Sequence, residues 1–209
     1  MSISTSISQS NRYKYWVFGA LAIGTFASVV DHGTVNVAMP SISKDFQTTL
    51  PSVQWVSIGY ALTISALLLP MGRLADMIGR KRMYLLGAVV LVIGSVGAGL
   101  APDLGWLLVA RFVQGCGAGM TQGTSMAIIT GVFPAKERGR AIGLIMTTVG
   151  VGAVAGPAIG GVVVDALGWP AVFFMTIPFV LVGAMATMTV LKNWESEKSP
   201  VGSRFDWLG

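Results

Sequence analysis

Two ionisable residues, Asp31 and Arg111, lie inside long apolar runs of this chain. A charged side chain in hydrocarbon costs at least about 2.5–3.5 kcal/mol on insertion scales, so each is a functional candidate by default. Asp31 shares a stripe with Gly24, Ser28 and Val35 at helical spacing, which gives a small and polar face that should meet other helices. A carboxyl there could load and release a proton. The bland reading is an aspartate satisfied by hydrogen bonds near the membrane interface. His32 points about 100° away from that stripe and reads as an interfacial residue. In a second run, Arg111, Gln114, Gly115, Ala118, Gln122 and Ser125 fall on one helical face, whereas Phe112, Val113, Cys116 and Met120 fall elsewhere. Such a face must line a water-filled cavity or hydrogen-bond to partner helices, since lipid leaves its amides unsatisfied. Asp31, Arg111, Gln114 and Gln122 are therefore the candidate proton-coupling and substrate residues.

Other patterns carry less chemistry. Gly152, Gly156 and Gly160 repeat every fourth residue with Pro157 and Gly161 beside them. The glycines let a neighbouring backbone approach closely, and the proline frees the carbonyl of Ala153. Gly72, Asp76, Gly79, Arg80, Lys81 and Arg82 make a short basic turn with an acid inside it, readable as a gate or as a plain topology anchor. A serine-protease reading has a foothold in Gly123, Thr124 and Ser125, but Met126 closes that motif and His32 is the one histidine available as base. Cys116 is the sole cysteine, so no intrachain disulfide or thiolate cluster can form, and neither metal nor cofactor is expected.

The elements that must hold these residues follow from composition. With 53% apolar and only 11% charged residues, and a mean hydropathy of +0.71, the chain cannot cover a water-facing surface. A helix needs roughly 20 apolar residues to cross the hydrocarbon. Six stretches qualify: Trp16 to Val37, Val53 to Gly72, Met83 to Leu100, Trp106 to Ile129, Ala141 to Leu167 and Ala171 to Leu191. Their continuous apolarity excludes the alternation of barrel strands. The fold class is thus all-α integral membrane. Arg12 and Lys14, Arg73 to Arg82, Lys136 to Arg140, and Lys192 to Arg204 make every second connection basic, which puts both ends in the cytoplasm. A net charge of +5 distributed this way marks topology and not a nucleic-acid surface. All six Trp fall at or beyond span edges, where an indole prefers to sit.

Four segments resemble the signatures of the major facilitator superfamily, and within it the fourteen-helix drug:proton antiporters. Asp31, Asn36, Ala38 and Pro40 are similar to the span 1 signature. GRLADMIGRKR from Gly72 to Arg82 is similar to the loop between spans 2 and 3. Arg111, Gln114, Gly115 and Gly117 are similar to span 4, and GAVAGPAIGG from Gly152 to Gly161 to the antiporter motif of span 5. The resemblance implies a six-helix half built as a 3+3 repeat, Asp31 as a proton or cation-recognition carboxylate and Arg111 as its coupling partner. It also implies an inner gate using Asp76 and Arg80. Gly33 stands where that family usually has Thr, and the segment Trp169 to Pro178 lacks the usual Arg and Asn, having Pro170 and Thr176.

On this reading residues 1–14 form a cytoplasmic tail whose Ser-rich opening is disordered, 15–191 a six-helix N-terminal half, and 192–209 a linker running into a further helix. Two halves must rock about a midplane site, so a missing C-terminal half is expected. The implied function is proton-coupled export of amphipathic compounds across the cell membrane, the partners being a small-molecule substrate, a proton and the bilayer. A facilitator-type carrier for a metabolite or vitamin is the alternative, and a structural subunit without transport a third.

Overall fold

The computed structural model describes residues 11–190. The opening serine-rich segment, and residues 191–209 with the expected linker and further helix, lie outside the described residues. Six helices account for nearly all of the described chain: α1 (Asn11–Asp45), α2 (Leu50–Ile78), α3 (Arg80–Gly99), α4 (Leu104–Val132), α5 (Ala135–Leu167) and α6 (Pro170–Val190). No strand occurs among the described residues. Each expected span falls on its own helix, the third running one residue past the end of α3 at Gly99 and the sixth ending at Leu191, outside the described residues. At 35 residues, α1 is roughly 52 Å long at 1.5 Å per residue, well beyond a hydrocarbon core of about 30 Å.

Local chemistry sets the breaks. Gly79 adopts φ 102° between α2 and α3, and Gly168 adopts φ 82° after α5; both conformations strain any residue with a Cβ. Asp103 caps α4 by accepting the backbone N–H of Trp106 at 2.8 Å. Five helices are long and apolar enough to cross a membrane unaided. The other is α4, whose polar face and glycines dilute its hydropathy. Its charge is instead hidden by neighbours, since Arg111 and Gln114 are both fully buried.

Apart from α3 against α4, the main packing is between helices that are not consecutive in the chain. The main neighbours of α1 are α5 and α6, those of α4 are α2 and α3, and α3 meets α6. Exchanging α1, α2, α3 with α4, α5, α6 leaves this pattern unchanged, so the bundle is a 3+3 repeat with its halves interleaved. The first helix of each repeat carries a buried charge and packs between the last two helices of the other repeat. A central cluster of Ala27, Tyr60, Ala88, Leu91, Ala118 and Val180 lies between two end clusters. One end holds Val35, Ile42, Val53, Leu107 and Phe173, and the other Leu21, Tyr84, Ile128 and Phe133.

Glycine sets the closest approaches. A Cβ on Gly94 would lie 2.5 Å from the backbone of Gln114, and one on Gly117 would collide with the backbone of Leu91, so α3 and α4 touch main chain to main chain. Gly123 does the same toward Leu68 of α2, while Gly115 and Gly119 sit close against the side chains of Thr63 and Leu67. Trp16, Trp55 and Trp106 are more than half exposed, as lipid-edge indoles should be. Trp169 lies at the edge between α5 and α6 but is buried, and its Nε1 donates to Asp45 Oδ2 at 2.8 Å. Asp45 is exposed, so the bond satisfies the buried indole N–H at the end of α1. Trp194 and Trp207 lie outside the described residues.

Candidate functional site

Asp31 and Arg111, 80 positions apart, meet in the bundle interior with no exposure of either side chain. Arg111 Nη1 donates to Asp31 Oδ2 at 2.7 Å and to Gln114 Oε1 at 2.6 Å, while its Nε donates to the Val56 carbonyl at 3.1 Å. Gln114 Nε2 donates to Asp31 Oδ1 at 3.0 Å and to Ser95 Oγ at 2.9 Å. The hydroxyl of Thr176 adds a further bond to Asp31 Oδ1 at 3.0 Å. Ser95 passes its own proton to the Leu91 carbonyl at 2.9 Å. Donors from α4 and α6 thus converge on the α1 carboxylate, and groups of α2 and α3 hold those α4 donors in turn.

The helical spacing of Arg111 and Gln114 explains the local fold: three residues apart, they face the same way and grip opposite oxygens of Asp31. Two charges moved out of water lose solvation that only close pairing and full hydrogen bonding repay. Here the carboxylate accepts three bonds, and the guanidinium carbon lies over the Tyr60 ring at 3.9 Å and over the Phe173 ring at 5.6 Å. One donor is left over, since the buried Nη2 of Arg111 has no hydrogen-bond partner among the described residues. A carboxylate paired with a guanidinium leaves the cluster without net charge.

The sequence-derived candidates divide at this point. Asp31, Arg111 and Gln114 come together; Gln122 does not, because eleven residues along α4 carry it away, and it is half-buried without a side-chain hydrogen bond to the described residues. In the basic turn, Arg80 Nε pairs with Asp76 at 2.6 Å and its Nη1 reaches the Ala127 carbonyl of α4 at 2.6 Å. Lys81 donates to the Met188 carbonyl of α6 at 3.0 Å. The turn therefore ties α2 and α3 to the ends of two other helices, with Gly72 close to Gly123 and Arg82 exposed. In the glycine motif, Gly152, Gly156 and Gly160 press on Val29, Gly33 and Thr34 of α1, and Pro157 abuts Gly33. Gly161 is a correction, because a Cβ there would meet nothing within 4 Å: it falls off the packed face by one helical step. Gly33, where the resembling family has Thr, is what admits this contact, since its Cβ would lie 3.0 Å from both Gly156 Cα and Pro157 Cδ.

Sequence reasoning missed Ser95 and Tyr60 and noted Thr176 only as a departure from a motif. Isolated hydroxyls in apolar helices give no periodic signal, although Thr176 lies one turn past the buried Phe173 that flanks Arg111.

A family profile described as Major Facilitator Superfamily matches residues 21–207. The chain belongs to that superfamily. It is 36% identical over 171 residues to the riboflavin transporter RibZ of Clostridioides difficile, covering 82% of this chain and 38% of that protein. It is 36% identical over 200 residues to the multidrug resistance protein Stp of Mycobacterium tuberculosis, covering 95% of the chain and 37% of the relative. With the tetracenomycin C resistance and export protein of Streptomyces glaucescens it shares 32% over 181 residues, covering 87% of the chain and 34% of that protein. Among solved structures, a bacterial homologue of the human lysosomal transporter Spinster, inward-facing and unoccupied, superposes with TM-score 0.65 at 25% identity, over 96% of this chain and 46% of that one. The chain spans under two-fifths of the length of these curated relatives. It is a multi-pass membrane chain of the transporter class.

Proposed function

We propose that the chain is the N-terminal half of a proton-coupled exporter of amphipathic compounds in the cell membrane, with both of its ends cytoplasmic. The observation that carries this reading is the sealed Asp31–Arg111–Gln114 cluster. A carboxylate held by a guanidinium and two neutral donors is a two-state element: ionised, it grips three helices; protonated, it lets Arg111 seek another partner. The relatives named for drug resistance and export support the direction of transport. The basic turn is the inner gate, with Asp76 and Arg80 holding its near side. Gly152, Gly156, Pro157 and Gly160 keep α5 against α1 so that the half moves as one body. A second half, from a longer protein, completes the path.

The test is Asp31→Asn in the full-length transporter. Efflux driven by the proton gradient should be lost while the protein still reaches the membrane; undiminished gradient-driven efflux would overturn the reading. A second reading, a carrier for a vitamin, is favoured by the relative named as a riboflavin transporter. Riboflavin uptake or release that follows the concentration gradient and ignores an uncoupler would favour it.

A further inference from the structure

At the end of the bundle away from the basic turn, the outer end on the reading above, the stretch from Trp169 to Thr176 makes its side-chain hydrogen bonds to two carboxylates of α1. Trp169 Nε1 donates to Asp45 Oδ2 at 2.8 Å, and the Thr176 hydroxyl donates to Asp31 Oδ1 at 3.0 Å. Phe173 lies between them. Its ring stands edge-on to Trp169, with centroids 6.1 Å apart and planes at 84°, and the Arg111 guanidinium carbon lies over it at 5.6 Å. The three residues fall at i, i+4 and i+7, share one helical face and are all buried. Phe46, just past α1, backs the indole at 5.4 Å. One packed face thus runs from the buried ion pair to the exposed Asp45.

This stretch has a joint at each end. Gly168 turns the chain at φ 82°, and Pro178 has no N–H to give the Phe174 carbonyl, so the helical ladder is interrupted two residues past Thr176. Beyond Pro178 the helix is held by other contacts: Gly183 lies against Gly24 of α1 and Tyr84 of α3, and Lys81 donates to the Met188 carbonyl at 3.0 Å. The outer stretch can therefore tilt while the inner one stays in place. What holds it depends on charge. An ionised Asp31 accepts a stronger bond from Thr176 than a neutral acid does, and it keeps the Arg111 cation beside Phe173. The titratable groups facing Asp31 are Arg111 from α4, Tyr60 from α2 and His32 on α1 itself. To this cluster α3 brings the neutral Ser95, and α5 presents glycines and Pro157. Near Trp169 the charged groups are Asp45, its neighbour Lys44 and Asp165 at the end of α5, all exposed.

We infer that the stretch from Trp169 to Thr176 is a charge-reading arm, which clasps the outer end of α1 while Asp31 is ionised and releases Asp45 when Asp31 takes up a proton. Phe173 and Thr176 are positioning residues that act through Arg111 and Asp31. The inference rests on the proton-coupled reading and deepens it, because it names where the state of the buried pair is felt: roughly 21 Å further along α1, at its outer end.

The test is fluorine NMR of the full-length transporter in lipid nanodiscs, labelled with fluorotryptophan, the Trp169 resonance being assigned by its loss in Trp169→Phe. The proton on Asp31 is followed in parallel by the infrared carbonyl band that Asp31→Asn removes. As the pH falls, the Trp169 resonance should move at the pH where this band grows in. The resonance of Trp106, bonded at the same end to the Gly97 carbonyl, should stay in place. The Trp169 movement should be lost in Asp31→Asn, Phe173→Leu and Thr176→Val, and kept in Phe173→Tyr and Thr176→Ser, which preserve the ring and the hydroxyl. A Trp169 resonance that ignores the carboxyl band, that moves alike in Asp31→Asn because Asp45 itself titrates, or that still moves in both Phe173→Leu and Thr176→Val would overturn the inference and leave proton coupling standing. Absence of the band at every pH would sink the proton-coupled reading and this inference with it.

Discussion

Removing one member of a buried ion pair is more damaging than removing both, because the survivor stays buried and unpaired. Arg111→Ala, at a fully buried position, should destabilise the bundle by about 3–5 kcal/mol in reversible denaturant unfolding from micelles. Adding Asp31→Asn should recover part of that loss, a non-additivity expected only of direct partners. Thr176→Val deletes one neutral donor to the same carboxylate and should cost about 1 kcal/mol. At this scale the sequence was informative where a residue was chemically improbable. A carboxylate and a guanidinium in apolar runs declare themselves, and Gln114 follows from its spacing to Arg111. Ser95 and Tyr60 are ordinary in such helices, and only the three-dimensional arrangement reveals them as the outer ring of the cluster.

Elements were legible in number and approximate place, since apolar length alone delimits each helix. Which glycine faces which neighbour was not. The chain holds 27 glycines, too many for spacing to sort. The motif Gly152, Gly156, Gly160 stood out by its regular interval, while Gly94 and Gly117, which make the tightest approach of all between α3 and α4, lack such a pattern. Two contrasted substitutions separate packing from composition. Gly160→Ala places a methyl 2.7 Å from Thr34 Cα and should lower the unfolding midpoint clearly, whereas Gly161→Ala meets open space and should be neutral or slightly stabilising. Gly94→Ala should be worse than either, because the atoms it meets at 2.5 Å are backbone and cannot swing aside. Equal effects at Gly160 and Gly161 would mean that the α1 and α5 contact is wrong.

Across the whole molecule, the alternation of basic and non-basic connections sets which ends of the helices face the cytoplasm. In a Cys116→Ser background, a cysteine replacing the exposed Arg82 should react with a membrane-impermeant maleimide only in inverted vesicles, and one replacing the exposed Pro102 only in intact cells. Reversal of the two would invert the topology. Chain order could not show that α1 packs mainly with α5 and α6, since adjacency in sequence predicts adjacency in space and here mostly fails. That interleaving bears on how the molecule is made. Asp31 is joined to the chain 80 residues before Arg111. At about 5–20 residues per second the gap is roughly 4–16 s. Throughout that interval the nascent first helix carries a carboxyl with neither of its α4 partners available, and Thr176 arrives later still. The insertion machinery must therefore shelter this helix, or accept it with a proton in place, until the fourth has been delivered beside it.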